Sequence, residues 1–197
     1  MKQLLIIALC LLLTPLVAAV GCDLNDPDGD IRRLFPESTG YKTSYRSIQR
    51  EGGRALLNTI ENRLGDRFSG LYETIDNPYT IYDVFSGTRK IGVIHGVNQK
   101  GRTGGIQIFL ALDNNGIIKK LYLQRISSRN NRLYRAESFT NQFIGLKLED
   151  FDRWNVARAT GTGKVAAIRN PVANDPDFAA IMRGIKKNLI LMKHFSQ

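Results

Sequence analysis

The chain has 197 residues, a length that suits one domain, and its 28 Lys and Arg against 18 Asp and Glu give a formal charge of +10. Both cysteines, Cys10 and Cys22, fall near the N-terminus and only His95 and His194 are histidines. This excludes disulfides, iron–sulfur clusters and cysteine nucleophiles from the body of the chain, and leaves a zinc or copper site short of ligands.

Lys2 precedes an unbroken apolar run from Leu4 to Leu13, and apolar character continues past Thr14 and Pro15 to Val20. That is the layout of a secretory signal. The run ends in Ala19-Val20-Gly21-Cys22, which resembles the lipobox of bacterial lipoproteins, in which the cysteine becomes the acylated first residue. The resemblance implies a signal peptide over residues 1–21, lipidation at Cys22, and a protein exported to the periplasmic or other extracytoplasmic face of a membrane. The alternative is a signal-anchor helix, but a span needs about 20 apolar residues and Thr14 and Pro15 interrupt this one. Without residues 1–21 the chain keeps 27 basic against 18 acidic side chains, a balance of +9. Such a surface suits anionic lipid headgroups, acidic partners or phosphate-bearing ligands. Export argues against nucleic acid.

Residues 22–30 read as a polar tether, and residues 31–197 as a single domain. The acids of the tether miss calcium-loop spacing, since Pro27 and Leu34 stand where ligands are required. Residues 31–37 read as a short helix stopped by Pro36. Ile48, Leu56, Ile60 and Leu64 recur at multiples of four, predicting a helix across 45–64 that Gly52-Gly53 kinks and Gly65 ends. The period then shortens. Residues 79–85, 90–98, 105–113 and 117–125 read as strands, the last two joined at Asn115-Gly116 as a hairpin. A helix is expected over 137–144. Residues 154–168 are ambiguous. The final helix carries Asp175 as cap, Pro176 in its first turn and an apolar stripe of Phe178, Ile181, Ile185, Leu189 and Met192. Lys186, Lys187 and Lys193 sit toward its C-terminal end, where cations are favoured. These elements predict an α+β domain, an antiparallel sheet of four or more strands packed with helices from both ends of the chain.

Thr160-Gly161-Thr162-Gly163-Lys164 is the candidate ligand site. Successive glycine amides can form an anion-binding concavity to which Lys164 adds charge. It is not a P-loop, because Arg158 replaces the leading glycine and Val165 the Ser or Thr. The competing reading is a solvated loop. Hydrolase chemistry lacks its residues: there is no Gly-x-Ser-x-Gly elbow, and neither histidine has a triad context. His95 alternates with Val93 and Val97 on one strand face, as a structural histidine does.

The strand with Ile91-Gly92, then Gly104-Gly105-Ile106, then the run from Leu110 through Asp113 and Gly116 to Ile118, and finally Phe139-Thr140-Asn141-Gln142-Phe143-Ile144-Gly145 appear in that order. This order resembles the bacterial FMN-binding domain of sodium-translocating NADH:quinone reductases, Rnf-type complexes and exported single-domain relatives. The resemblance implies a redox carrier or accessory protein of a membrane electron-transfer chain, with FMN as cofactor. The family attaches FMN to the threonine of a Ser-Gly-Ala-Thr-like motif near the last helix. Here that threonine's position falls on Gly163, or on the hydroxyl-free stretch Ala173-Asn174-Asp175-Pro176. Any flavin is therefore expected to be non-covalent. A flavin-free interaction or assembly module of a membrane complex is the other reading.

Overall fold

The computed structural model describes residues 22–71 and 73–196, so the expected signal peptide lies outside the described residues. The fold is α+β, built on a five-stranded antiparallel meander. In chain order the elements are α1 (Pro27–Leu34), β1 (Gly40–Arg46), α2 (Ile48–Glu51), α3 (Gly53–Leu64), β2 (Tyr79–Ser86), β3 (Arg89–Lys100), β4 (Gly105–Leu112) and β5 (Ile118–Ile126). Short helices α4 (Asn131–Arg135), α5 (Glu137–Thr140) and α6 (Leu148–Phe151) follow, then a two-residue ladder of β6 (Trp154–Asn155) with β7 (Thr160–Gly161), and last α7 (Pro176–Phe195). Among the described residues no helix is long and apolar enough to cross a membrane.

Both faces of the sheet are covered. The larger core lies between the sheet and α3 and α7, where Ile60, Leu64, Val97, Leu110, Ile185 and Leu189 meet. The smaller core lies beneath α1 and the residues before it, and joins Cys22, Leu24, Ile31, Phe35, Tyr82, Ile94 and Phe109. Neighbours on a strand point to opposite faces, so Leu110 fills the first core and Phe109 the second. Phe109 is seated on Gly96, where a Cβ would come within 2.4 Å of its ring. His95 shares the α7 side with Val93 and Val97, as the alternation predicts.

The hairpin at 113–117 closes as expected. Asp113 Oδ1 accepts from the amides of Asn115 (2.8 Å) and Ile117 (2.9 Å), and Gly116 takes φ 75°, which favours glycine. The β5 edge is blunted. Arg135 donates to the carbonyls of Leu123 (2.9 Å) and Gln124 (2.8 Å), and residues 145–146 pair with Ile118. The other edge is β1.

Two segments differ from their sequence reading. Residues 22–30 are not a tether. Asp23 accepts hydrogen bonds from Thr80 and Tyr82, Asn25 donates to Gln124 (2.8 Å), and α1 begins at Pro27 with Asp26 accepting from the Gly29 amide (3.1 Å). Tyr45 and Arg46 belong to β1, not to a helix, and pair with Thr80 and Tyr79.

Candidate functional site

The five loop residues lie together next to α6. Thr160 and Gly161 pair with Asn155 and Trp154, and residues 163–167 form a short 3₁₀ turn. The loop packs closely on Arg153 and Trp154. The Thr162 amide donates to the Arg153 carbonyl (3.2 Å), and a Cβ on Gly163 would lie 3.1 Å from the Arg153 guanidinium. Trp154 and Val165 close over Gly161 in the same way. Lys164 reaches Asp150 (3.6 Å) with most of its side chain in solvent. Arg153 and Lys164 leave a positive surface able to attract an anion.

A cleft of about 470 Å³ opens between the start of β3, the 113–116 turn, residues 147–149 and the C-terminal end of α7. Its floor is apolar, with Val93, Leu112, Leu148, Leu189 and Met192, and Lys90, Lys147 and Lys193 stand around it. Lys90 pairs with Asp83, and Lys147 lies 3.6 Å from Glu149. A large apolar hollow with a few convergent polar groups is the usual form of a small-molecule site. Asp113 and Glu149 also line it, so both signs of charge stand at its rim. None of Thr160, Gly161, Thr162, Gly163 and Lys164 lines this cleft.

A third feature is buried and ionic. Lys186 and Lys187 do not sit on a solvated helix end, because α7 is packed between the sheet, α3 and the short helices. Lys186 donates to the Trp154 carbonyl (2.9 Å). Lys187 donates to the Glu73 carboxylate and to the Asn98 carbonyl (2.6 Å). Arg183 joins them, bonding Glu73 (2.9 Å), Gln99 (2.8 Å), Asp66 (2.7 Å) and the Arg67 carbonyl (2.8 Å). Burial raises the Glu73 pKa, but the Lys187 charge and the Arg183 hydrogen bonds reverse this and hold the carboxyl below its ordinary value. Burial pushes the Lys187 ammonium down to about 8 against the pull of Glu73. The cluster ties Asp66, Arg67 and Glu73 to α7, and at its centre Glu73 and Lys187 are each 1% exposed.

Cys22 packs in the smaller core, 2% exposed. Burial, with Asp23 nearby, pushes its thiol up to about 12, so the sulfur is neutral and unreactive in the folded protein. Sequence reasoning did not find Glu73, Arg183 or the cleft lysines as functional groups. The one signal for the cluster was Lys187 standing next to Ile185 and Leu189 in a helix that is apolar on most sides. The cleft gathers residues from four separated segments and leaves no local motif. No protein-family model matches the chain, and no curated protein matches it.

Proposed function

We propose that the protein is an exported lipoprotein, tethered through Cys22, whose domain resembles the FMN-binding domain and holds FMN non-covalently for a membrane electron-transfer chain. The observation that carries the ligand part is the cleft of about 470 Å³ with an apolar floor and three lysines around it. Its lysines suit the phosphate and its floor suits the ring. The flavin, when bound, supplies the redox chemistry, and the chain's residues orient it and shield it from water. Acylation of Cys22 fits the N-terminal sequence, and a lipid on its sulfur requires that Cys22 leave the buried position its thiol holds in this structure.

The test is titration of FMN into the purified protein, followed by quenching of flavin fluorescence. Saturable binding weakened several-fold by Lys147→Glu and by added salt supports the reading, because part of the attraction is ionic. Protein that neither carries flavin as isolated nor binds added FMN overturns it. The flavin-free interaction module is then the reading left. It is favoured by one observation, the engagement of the Thr162 amide by the Arg153 carbonyl in the loop expected to hold the phosphate.

A further inference from the structure

The two ends of the sheet differ in what they present. At one end lie the 113–117 turn, the β2–β3 turn at Gly87-Thr88, and the cleft. At the other lie the first residues of β2, the β3–β4 turn at 101–104, and the end of β5. Cys22 is at this second end. Asp23, next in the chain, accepts from Thr80 near the start of β2, and Asn25 donates to Gln124 near the end of β5. Asp23 and Asn25 hold the chain to the sheet, so only Cys22 has to swing out of the smaller core for its sulfur to carry lipid.

The same end carries two of the exposed large apolar side chains, Tyr45 (55% exposed) and Leu71 (40%). Tyr45 is the cross-strand partner of Thr80, and so stands beside the Asp23 contact. Leu71 reaches over the start of β4, its Cδ2 lying 3.3 Å from where a Gly105 Cβ would be. Cations surround them. Lys100 pairs with Gly105 at the mouth of the β3–β4 turn, Arg102 is in that turn, and Arg125 and Arg129 leave the end of β5, all four exposed. Exposed Asp23, Asp76 and Glu51, the last paired with Arg46, are opposing charges here.

We infer that this end of the sheet is a membrane-docking surface that lies against an anionic bilayer, with Tyr45 and Leu71 at the headgroup level and Lys100, Arg102, Arg125 and Arg129 facing the lipid phosphates. The inference rests on the lipoprotein reading, since Cys22 is the point from which the acyl chains leave. An anchor without a spacer brings whatever surrounds it to the membrane. Tyrosine favours the water–lipid boundary because its ring is apolar and its hydroxyl is polar. Each basic side chain near an anionic surface adds a further attraction within a Debye length. The docked orientation points the cleft away from the bilayer, toward soluble partners.

The experiment uses the full chain expressed in cells and recovered in membranes, with single cysteines introduced by Tyr45→Cys, Leu71→Cys or Thr88→Cys. An acylated Cys22 leaves each introduced thiol as the only reactive one in the processed chain. A membrane-impermeant maleimide, applied to the exposed membrane face, should label Thr88→Cys several-fold faster than Tyr45→Cys or Leu71→Cys. Adding Lys100→Glu with Arg102→Glu should raise labelling of Tyr45→Cys toward the Thr88→Cys rate. Equal rates at all three sites in acylated, membrane-bound protein overturn the docking surface and leave the lipoprotein reading intact. Protein recovered soluble and unacylated overturns both.

Discussion

Lys187 donates to the Glu73 carboxylate inside the fold, with each side chain only 1% exposed. A buried pair of this kind contributes little relative to apolar residues of the same shape, yet removing one partner leaves an uncompensated charge in a poor solvent. Glu73→Gln should therefore cost about 3–5 kcal/mol of stability, measured by denaturant unfolding. Replacing both partners, with Lys187→Met added, should recover part of that loss, because the stranded ammonium is gone. A double variant no better than Glu73→Gln alone would place the energy in the Arg183 contacts instead.

His95 makes stability depend on pH. Its ring is fully buried, with Nδ1 3.0 Å from Asn188 Oδ1 and Nε2 without a hydrogen-bond partner among the described residues. Burial holds its pKa down to about 4, against 6.5 for an exposed ring. As pH falls through 6.5 the unfolded chain binds a proton that the folded chain refuses, so stability decreases down to about pH 4 and the effect is level below that. The shift corresponds to about 3 kcal/mol. The His194 pKa is also lowered, chiefly by burial, and adds a smaller effect of the same sign. Unfolding curves between pH 6.5 and 4.5 should show this slope, and His95→Gln should flatten most of it. An unchanged slope in the variant would mean that the ring is not the source.

The sheet has two cores, and one truncation in each tests that. Phe109→Ala and Leu110→Ala are neighbouring changes, both at fully buried positions, on opposite faces. Each should cost about 2–5 kcal/mol. Had the α1 side been a loose covering, Phe109→Ala would be near neutral while Leu110→Ala remained costly.

The two Asp-Pro pairs show what the sequence made legible and what it did not. Asp175-Pro176 caps α7, and the apolar stripe that follows makes the signal easy to read. Asp26-Pro27 caps α1 by the same chemistry. Its first turn holds Asp28, Gly29 and Asp30, so the segment reads as a polar tether until the packing of Ile31, Leu34 and Phe35 on the sheet is seen. β1 was hidden for a related reason. It is an edge strand of mostly polar residues, and Tyr41 and Tyr45 are spaced as a helix would space them. The central hairpin was legible because Asn115-Gly116 sits between two apolar runs. The cleft was not, since Val93, Leu112, Leu148 and Met192 each read as ordinary core residues until the topology brings them to one end of the sheet.

Export and lipidation are tested at Cys22. Cys22→Ser removes the sulfur that would carry the lipid, while hardly changing the size of the side chain. The expected result is unprocessed precursor, or protein released from the membrane fraction. If the substituted protein fractionates and migrates like wild type, the lipoprotein reading is wrong.

The last prediction concerns how flavin is held. A phosphoester to the chain needs a hydroxyl, and if the proposed resemblance holds, the acceptor position falls on Gly163 or on the hydroxyl-free stretch 173–176. Thr162 is one residue from Gly163 and exposed, but its amide is engaged by the Arg153 carbonyl and the loop is closed by the Arg153 side chain. The loop does not line the cleft: Lys164 is drawn to Asp150, whereas Lys147, Leu148 and Glu149 line it. An FMN whose ring occupies the cleft is held by contacts that denaturation abolishes. After co-expression with a flavin transferase, the denatured protein should therefore have the mass of the processed chain without FMN, and the flavin should be recovered in the supernatant. An FMN mass that survives denaturation and disappears in Thr162→Ala would show that the loop opens to reach the cofactor and that attachment tolerates a one-residue shift. Retention of the added mass in Thr162→Ala would move the acceptor elsewhere, and Thr160 on β7 would be the next hydroxyl to remove.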